Sequence, residues 1–353
     1  MTLTAGEVVR VDPRRDDRWR ELALSASGGP FVSPPWIRAL CATYGFTPTA
    51  RIALDAGGEP VAGLAWVPVS DARGRRVCSL PFSDWADPIM PDAATWNALT
   101  ADVLAPGERF SVRCSKGSVP FEDARLEVVD ESVRQGCRLD VPVPELYERI
   151  GSAARRSITR SERRGVRIEI DTGLDGVRRF HRLQVALRKV KFRMLAQPVE
   201  FFERIWEAFA PEQGVTTMLA YPPGAAEPVA GVVFLRWNGA LYAKFMASLP
   251  GSLDDRPNDA LYWAGIRWAA QQGLRAVDWG ISGLDQPGLQ RFKRKYSTHE
   301  SRVVTLRSRG EEPSPAEVEV GSTLNAITLL LTEDSVPDEV TARAGAELYH
   351  YFC

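Results

Sequence analysis

Lysine is scarce in this chain of 353 residues. Of 44 basic residues only six are lysine, at Lys116, Lys189, Lys191, Lys244, Lys293 and Lys295, and five of them lie in the second half. The net charge is -1, which excludes a protein coated in basic surface for duplex nucleic acid. Histidine and cysteine are also few. Cys41, Cys78, Cys114, Cys137 and Cys353 show no C-x-x-C spacing, and His181, His299 and His350 are far apart. Neither a zinc site nor a disulfide framework is indicated, nothing supports a Cys/His nucleophilic pair, and the thiols are expected to be buried or idle. No apolar run reaches the length of a bilayer, and the opening "MTLTAGEVVRVDPRRDD" has no signal-peptide core, so a cytoplasmic chain without a membrane span is expected.

What is present is a globular composition, 44% hydrophobic and 25% charged, in a chain longer than one core usually grows. Two domains are expected, and a repeat agrees. "EPVAG" occurs at residues 59–63 and again at 227–231, each copy followed by an apolar strand pattern, a glycine turn and "SLP", at Ser79 and Ser248. The offset from Glu to Ser is 20 residues in the first copy and 21 in the second.

The periodicities give similar orders of elements in the two halves. The second half predicts a helix from Val143 ending at Gly165, the strand "VRIEI", two helices, three strands with a hairpin turn at Asn238-Gly239, a helix capped by Asn258 or Asp259, the strand "AVDWGIS", the short helix "GLQRFKRKY" and a closing strand. The first half predicts a strand, two helices, three strands, a loop "FSDWADPIMPD", a helix and a strand. Two helices, a three-strand meander, a helix and a further strand form the layout of an N-acetyltransferase-type fold. The expected class is therefore α/β (α+β), with two tandem GNAT-like domains whose mixed sheets splay open after the meander. The expected boundaries are 1–142, 143–309, and 310–353 as a linker plus a helical tail that packs back to cover its apolar residues.

Several segments resemble the FemAB-like aminoacyltransferases, a family with tandem GNAT-like domains. They are "LPFSDWADPI", "RRSITRSERRGVRIEI", "LRKVKFRMLAQPVEFF", "GLRAVDWGIS" followed by "GLQRFKRKY", and the ending "ELYHYF", in family order across about residues 30 to 353. The resemblance implies transfer of an amino acid from charged tRNA to an amine, without a bound cofactor. The acceptor is open among a small metabolite, a peptide and a cell-wall precursor. Phe292-Lys293 matches a Phe-Lys pair placed beside the tRNA terminus, where Lys293 offsets a phosphate or the developing oxyanion. Lys295 and Arg294 extend that charge.

Arg155, Arg156 and Arg160 are candidates for gripping phosphates, with a solvated helix face as the plain alternative. The same alternative stands beside Lys189 and Arg193, which a helix end and loop would bring to the cleft. Alternation places Tyr242, Lys244, Met246 and Ser248 on one strand face, opposite Leu241, Ala243 and Phe245. Asp84 and Asp87, flanking Trp85, are the acid candidates for orienting or deprotonating the acceptor amine, against ordinary turn chemistry; Asp92 is a substitute. Asp278 sits at a strand end, as a site residue or a structural carboxylate.

Acetyl-CoA enzymes of this fold bind pyrophosphate on a glycine-containing loop at the start of the helix after the meander. "LDDRPNDALYW" and "DPIMPDAATW" lack that loop, which argues against CoA as donor. The alternatives are an N-acyltransferase using acyl-CoA or another activated donor, and a non-catalytic binding relative.

Overall fold

The computed structural model describes residues 7–25, 28–90, 92–310 and 312–353. The chain forms two compact units, one of residues 1–132, 301–323 and 353, the other of 133–300 and 324–352.

The first unit opens with β1 (Val8–Val11), α1 (Asp17–Ala23) and α2 (Pro34–Tyr44), followed by a meander of β2 (Thr49–Leu54), β3 (Pro60–Asp71) and β4 (Gly74–Cys78). Then come α3 (Ala93–Thr100) and β5 (Phe110–Ser115). The meander is antiparallel throughout, whereas β4 pairs β5 in parallel, at Val77 with Phe110 and Cys78 with Ser111. Such a parallel pair needs a crossover, and α3 supplies it. Trp96, Leu99 and Val103 pack with Leu64, Trp66, Val77, Phe110 and Val112 to make the core of this unit.

The strand β6 (Leu126–Arg138) leads into the second unit. Its mixed run "LEVVDESVRQGCR" carries exposed Val128 and Val129, so the pattern alone did not announce a strand. Next come α4 (Val143–Arg149), α5 (Ser152–Arg163), β7 (Arg167–Asp171), α6 (Leu174–Leu187) and α7 (Val199–Phe209). The helix expected from Val143 to Gly165 is thus two helices, broken at Ile150, which is extended (φ -67°, ψ 127°), and Gly151.

The meander of this unit is β8 (Val215–Tyr221), β9 (Ala230–Trp237) and β10 (Ala240–Ser248). A crossover through α8 (Pro257–Gln271) brings β11 (Ala276–Gly283) parallel to β10, and α9 (Pro287–Arg294) follows; β12 (His299–Ser308) then returns the chain to the first unit, where it pairs antiparallel with β5. The sheet order of the second unit is β11-β10-β9-β8-β7. One face is closed by α5 and α8, through Ala154, Ile158, Leu261, Tyr262 and Ile266 against Met218, Val232, Phe234, Leu241 and Trp279. The duplication seen in sequence is therefore structural: antiparallel meander, crossover helix, parallel strand, twice.

Both glycines of the repeated pentapeptide sit where no side chain fits. A β-carbon on Gly63 would come 2.8 Å from Trp19, and one on Gly231 would come 2.8 Å from Leu219. The pentapeptide enters the second meander strand each time, and its glycine allows neighbours to approach closely.

The segment expected to be a linker is mostly helix. At the start of α10 (Pro315–Leu331), Ser314 and Glu317 form a reciprocal capping box: the Ser314 amide donates to Glu317 (2.7 Å) and the Glu317 amide to Ser314 Oγ (3.3 Å). The chain ends in α11 (Asp338–Leu348). In the second unit α11 meets the segment after α6 at Gly345, where an added β-carbon would lie 2.2 Å from the Ala196 carbonyl oxygen. Gly345→Ala is therefore expected to cost about 1–3 kcal/mol. Limited proteolysis of the variant should cut between α10 and α11 faster than in the parent; an unchanged cleavage rate would contradict the close approach.

Candidate active site

The two meanders end differently. In the first unit, the chain leaving β4 stays beside β5: Ser79 N donates to Ser111 O (2.8 Å) and Ala86 N to Arg113 O (2.7 Å). Asp87 completes the closure by accepting from the Ser115 amide (2.7 Å) and hydroxyl (3.0 Å). Trp85 is buried edge-on against Phe31, with ring centroids 4.7 Å apart. Asp84 is half-buried on the same loop. Asp92 caps α3, accepting from Thr95 N and Oγ1 at 2.8 Å, and these bonds lower its pKa. Of the first-half carboxylates, Asp87 and Asp92 are thus engaged in holding backbone.

In the second unit the strands part. β10 and β11 pair only over Ala240–Tyr242 and Ala276–Asp278, although β10 runs on to Ser248 and β11 to Gly283. The parting coincides with a bulge, since Ala243 pairs with Phe234 and Phe245 with Val233, leaving Lys244 as the extra residue. A bulge reverses the alternation beyond it. Met246 therefore packs toward the α8 core with Leu241 and Ala243, while Phe245 turns to Phe201 and Phe202 of α7. The expected single face of Tyr242, Lys244, Met246 and Ser248 does not exist. Tyr242 is buried, Lys244 is half-buried with its ammonium 5.3 Å from the Phe245 ring centre, and Ser248 Oγ accepts from Asn258 at 3.1 Å.

Around the parted strands the side chains come from α8 and α9. Tyr262 reaches both edges: its hydroxyl donates to Met246 Sδ (3.3 Å) and its ring meets Phe292 edge-on at 5.0 Å. Lys293 is 3% exposed and its Nζ donates to the Ile281 carbonyl (2.8 Å), on β11 beyond the last paired residue. A buried ammonium held at a carbonyl is costly unless its charge has a use or further partners. Lys295 lies over the Phe292 ring at 4.8 Å and 3.8 Å from Asp259.

Asn258 or Asp259 was expected as the helix cap, but α8 starts at Pro257 after Arg256 in a left-handed conformation (φ 59°), without a side-chain cap. Asp259 sits in the first turn, buried, and accepts from the Tyr296 hydroxyl at 2.6 Å. Burial beside this carboxylate raises the Tyr296 pKa, so the phenol stays protonated and donating.

Asp278, at the last paired position, accepts from Arg134 Nε (2.7 Å) and from the Gly280 amide (2.7 Å). Its neighbour across the pair, Tyr242, has its pKa pushed up to about 12 by burial and by this carboxylate.

The arginines form a second feature of this unit. Arg155, Arg156, Arg160, Arg163 and Arg164 of α5 and its C-terminal end, with Tyr147, Ser152 and Thr159, line an open cavity of about 760 Å³. Arg155 folds back onto the Glu148 carbonyl (2.7 Å) and carboxylate (3.1 Å). Among the described residues, Arg156, Arg160 and Arg163 have no hydrogen-bond or ion-pair partner, so their charge is available to an anion.

Lys189 and Arg193 do not reach the parted strands. Lys189 is buried, bonded to the Val336 carbonyl and to Asp338 (2.8 Å), and Arg193 donates to the Leu329 carbonyl (2.7 Å). A π-turn over Arg188–Phe192, ending with Arg193 at φ 52°, directs both toward the C-terminal tail. Nothing in the linear sequence marks that turn.

Among the described residues there is no cluster of metal-binding side chains and no helix long and apolar enough to cross a membrane. All five cysteines are free, and burial pushes the thiols of Cys41 and Cys114 up to about 12, which removes them as nucleophiles at neutral pH.

A meander followed by a parallel strand that diverges at a bulge is the architecture of a GNAT-type acyltransferase, and residues 151–294 match the acetyltransferase (GNAT) domain family. Residues 151–294 are thus a GNAT-type domain, and the whole chain shares its fold with solved tandem GNAT structures. It resembles the crystal structure of FemX with a TM-score of 0.66 at 12% identity, over 85% of this chain and 97% of that one. It also resembles L-PGS from Bacillus licheniformis (TM-score 0.53, 15% identity, 91% and 96% covered). A tandem GNAT protein from the clavulanic acid biosynthesis pathway gives 0.53 at 13% identity, with 88% and 99% covered. At these identities the likeness is one of fold. No curated protein matches the chain in sequence.

Proposed function

We propose that the chain transfers an aminoacyl group from the 3′ end of aminoacyl-tRNA to an amine, at the parted strands of the second unit. The observation that carries this reading is the start of α8. In a CoA-dependent enzyme of this fold, that helix end takes a diphosphate on backbone N–H groups. Here the first turn holds buried Asp259, already bonded to Tyr296, and a second anion there would meet like charge. Unpaired cationic charge lies instead on α5, where it suits a polyphosphate chain.

In the proposed reaction the neutral amine attacks the ester carbonyl, forming the C–N bond and a tetrahedral oxyanion. The C–O bond to the ribose then breaks, and the proton lost by the amine ends on the released ribose hydroxyl. Lys293 supplies positive charge to the oxyanion or to the terminal phosphate. Phe292 offers a ring against which a terminal base stacks, and Tyr262 holds that ring in place.

The test pairs the purified protein with aminoacylated total tRNA and candidate amines. Amide product should form only with charged tRNA and disappear after RNase treatment. Product made from an acyl-CoA alone would instead establish the alternative N-acyltransferase.

A further inference from the structure

One polar side chain on the parted end of β11 is left without a partner. Ser282 lies beyond Asp278, the last residue of β11 paired with β10, and is only 1% exposed. Its Oγ makes no hydrogen bond with any described residue. A buried hydroxyl in this state costs stability, because water bonds to it in the unfolded chain and no protein group takes over on folding.

The backbone around Ser282 is held on both sides, which leaves the hydroxyl little freedom to turn toward another protein group. The carbonyl before it, at Ile281, accepts from Lys293 Nζ (2.8 Å). The carbonyl after it, at Gly283, accepts from Gln290 Nε2 (2.7 Å) and from the Gln286 amide (3.1 Å). Two residues earlier Gly280 takes φ 69°, and its amide is fixed by Asp278 at 2.7 Å. The serine is thus clamped in place beside the residue that holds Lys293.

We propose that Ser282 Oγ donates a hydrogen bond to the acyl oxygen of the donor, as a second group beside Lys293. The oxygen gains a full negative charge as the tetrahedral intermediate forms, and donors already in place stabilise it without reorganising. Lys293 brings the charge, and the hydroxyl adds a neutral donor whose partner arrives with the ligand. A hydroxyl suits that position because it places no second cation next to a buried ammonium. The proposal rests on the site of the reaction proposed above, but not on the carrier that delivers the acyl group.

Ser282→Ala tests it, with melting temperature and steady-state kinetics measured on the full chain. Removing an unpartnered hydroxyl should leave the melting temperature no more than about 2 °C below the parent's, since no native bond is lost. Turnover should fall about a hundredfold, with KM for the donor within about twofold. A larger drop in melting temperature overturns the proposal, because the hydroxyl would then already have a partner such as a trapped water. Turnover within about twofold of the parent's overturns it too, and so does a raised KM at unchanged turnover, which is the mark of a ground-state contact. The comparison uses whichever donor the parent accepts, so amide made from an acyl-CoA would end the tRNA proposal and leave this one standing.

Discussion

Lys293→Ala is expected to lower turnover on the order of 10²- to 10³-fold, the scale for removing one preorganised charge or donor from an oxyanion site. The same change leaves the Ile281 carbonyl without its 2.8 Å partner, so part of any loss is a stability effect of about 1–3 kcal/mol. Lys293→Gln separates the two. Glutamine is neutral but keeps an N–H donor for the carbonyl, so its melting temperature should stay near the parent's while turnover still falls about a hundredfold. Retained turnover in Lys293→Gln would mean that the lysine is a structural donor and that the charge at the transfer centre comes from elsewhere.

Removing the α5 charge is expected to act on binding. Arg156→Ala with Arg160→Ala takes away two unpaired guanidinium groups that share the open cavity. Each phosphate contact to a single strand contributes about 0.7 to the slope of log K against log salt, so the double variant should flatten that slope by about 1.4 units. The Michaelis constant for charged tRNA should rise at least tenfold, with turnover at saturation little changed. A salt dependence identical to the parent's would make α5 a solvated face with no ligand.

The elements were largely legible because the chain announces them locally. Strand alternation, the Asn238-Gly239 turn and the glycines of the repeated pentapeptide led to the right meanders, and the fold class followed from their order. The near-equal spacing of the two "SLP" triplets was legible for a less direct reason. In the first copy a strand of 12 residues is followed by one of five, in the second a strand of eight by one of nine, so unlike hairpins add up to like lengths. The triplet does mark the end of the third meander strand in both copies, and there the paths separate. The first continues along β5, pinned by Asp87, while the second departs from β11.

What escaped the sequence depends on contacts between distant residues. The bulge at Lys244 reverses the facing of Phe245 and Met246, and no local pattern distinguishes it from a regular strand. Lys189 and Arg193 were placed near the cleft by their motif, but the π-turn carries them to the tail, where Asp338 and two carbonyls take them up. Arg134 and Tyr296 went unnoticed because the carboxylates they satisfy, Asp278 and Asp259, are 144 and 37 residues away. The capping box of Ser314 and Glu317 and the helix break at Ile150-Gly151 are both written in neighbouring residues, the first in a stretch read as a linker and the second inside a segment read as one helix.

The central claim is that the donor's aminoacyl end lies between the diverging strands of the second unit, with α8 taking no diphosphate. The most direct measurement is a crystal structure with a non-hydrolysable aminoacyl-adenosine, its ester replaced by an amide. The adenine should stack on Phe292 and the acyl carbonyl should lie between Lys244 and Ile281, within reach of Lys293. An analogue bound away from β10 and β11, or an acyl-CoA found with its pyrophosphate on the first turn of α8, would contradict it.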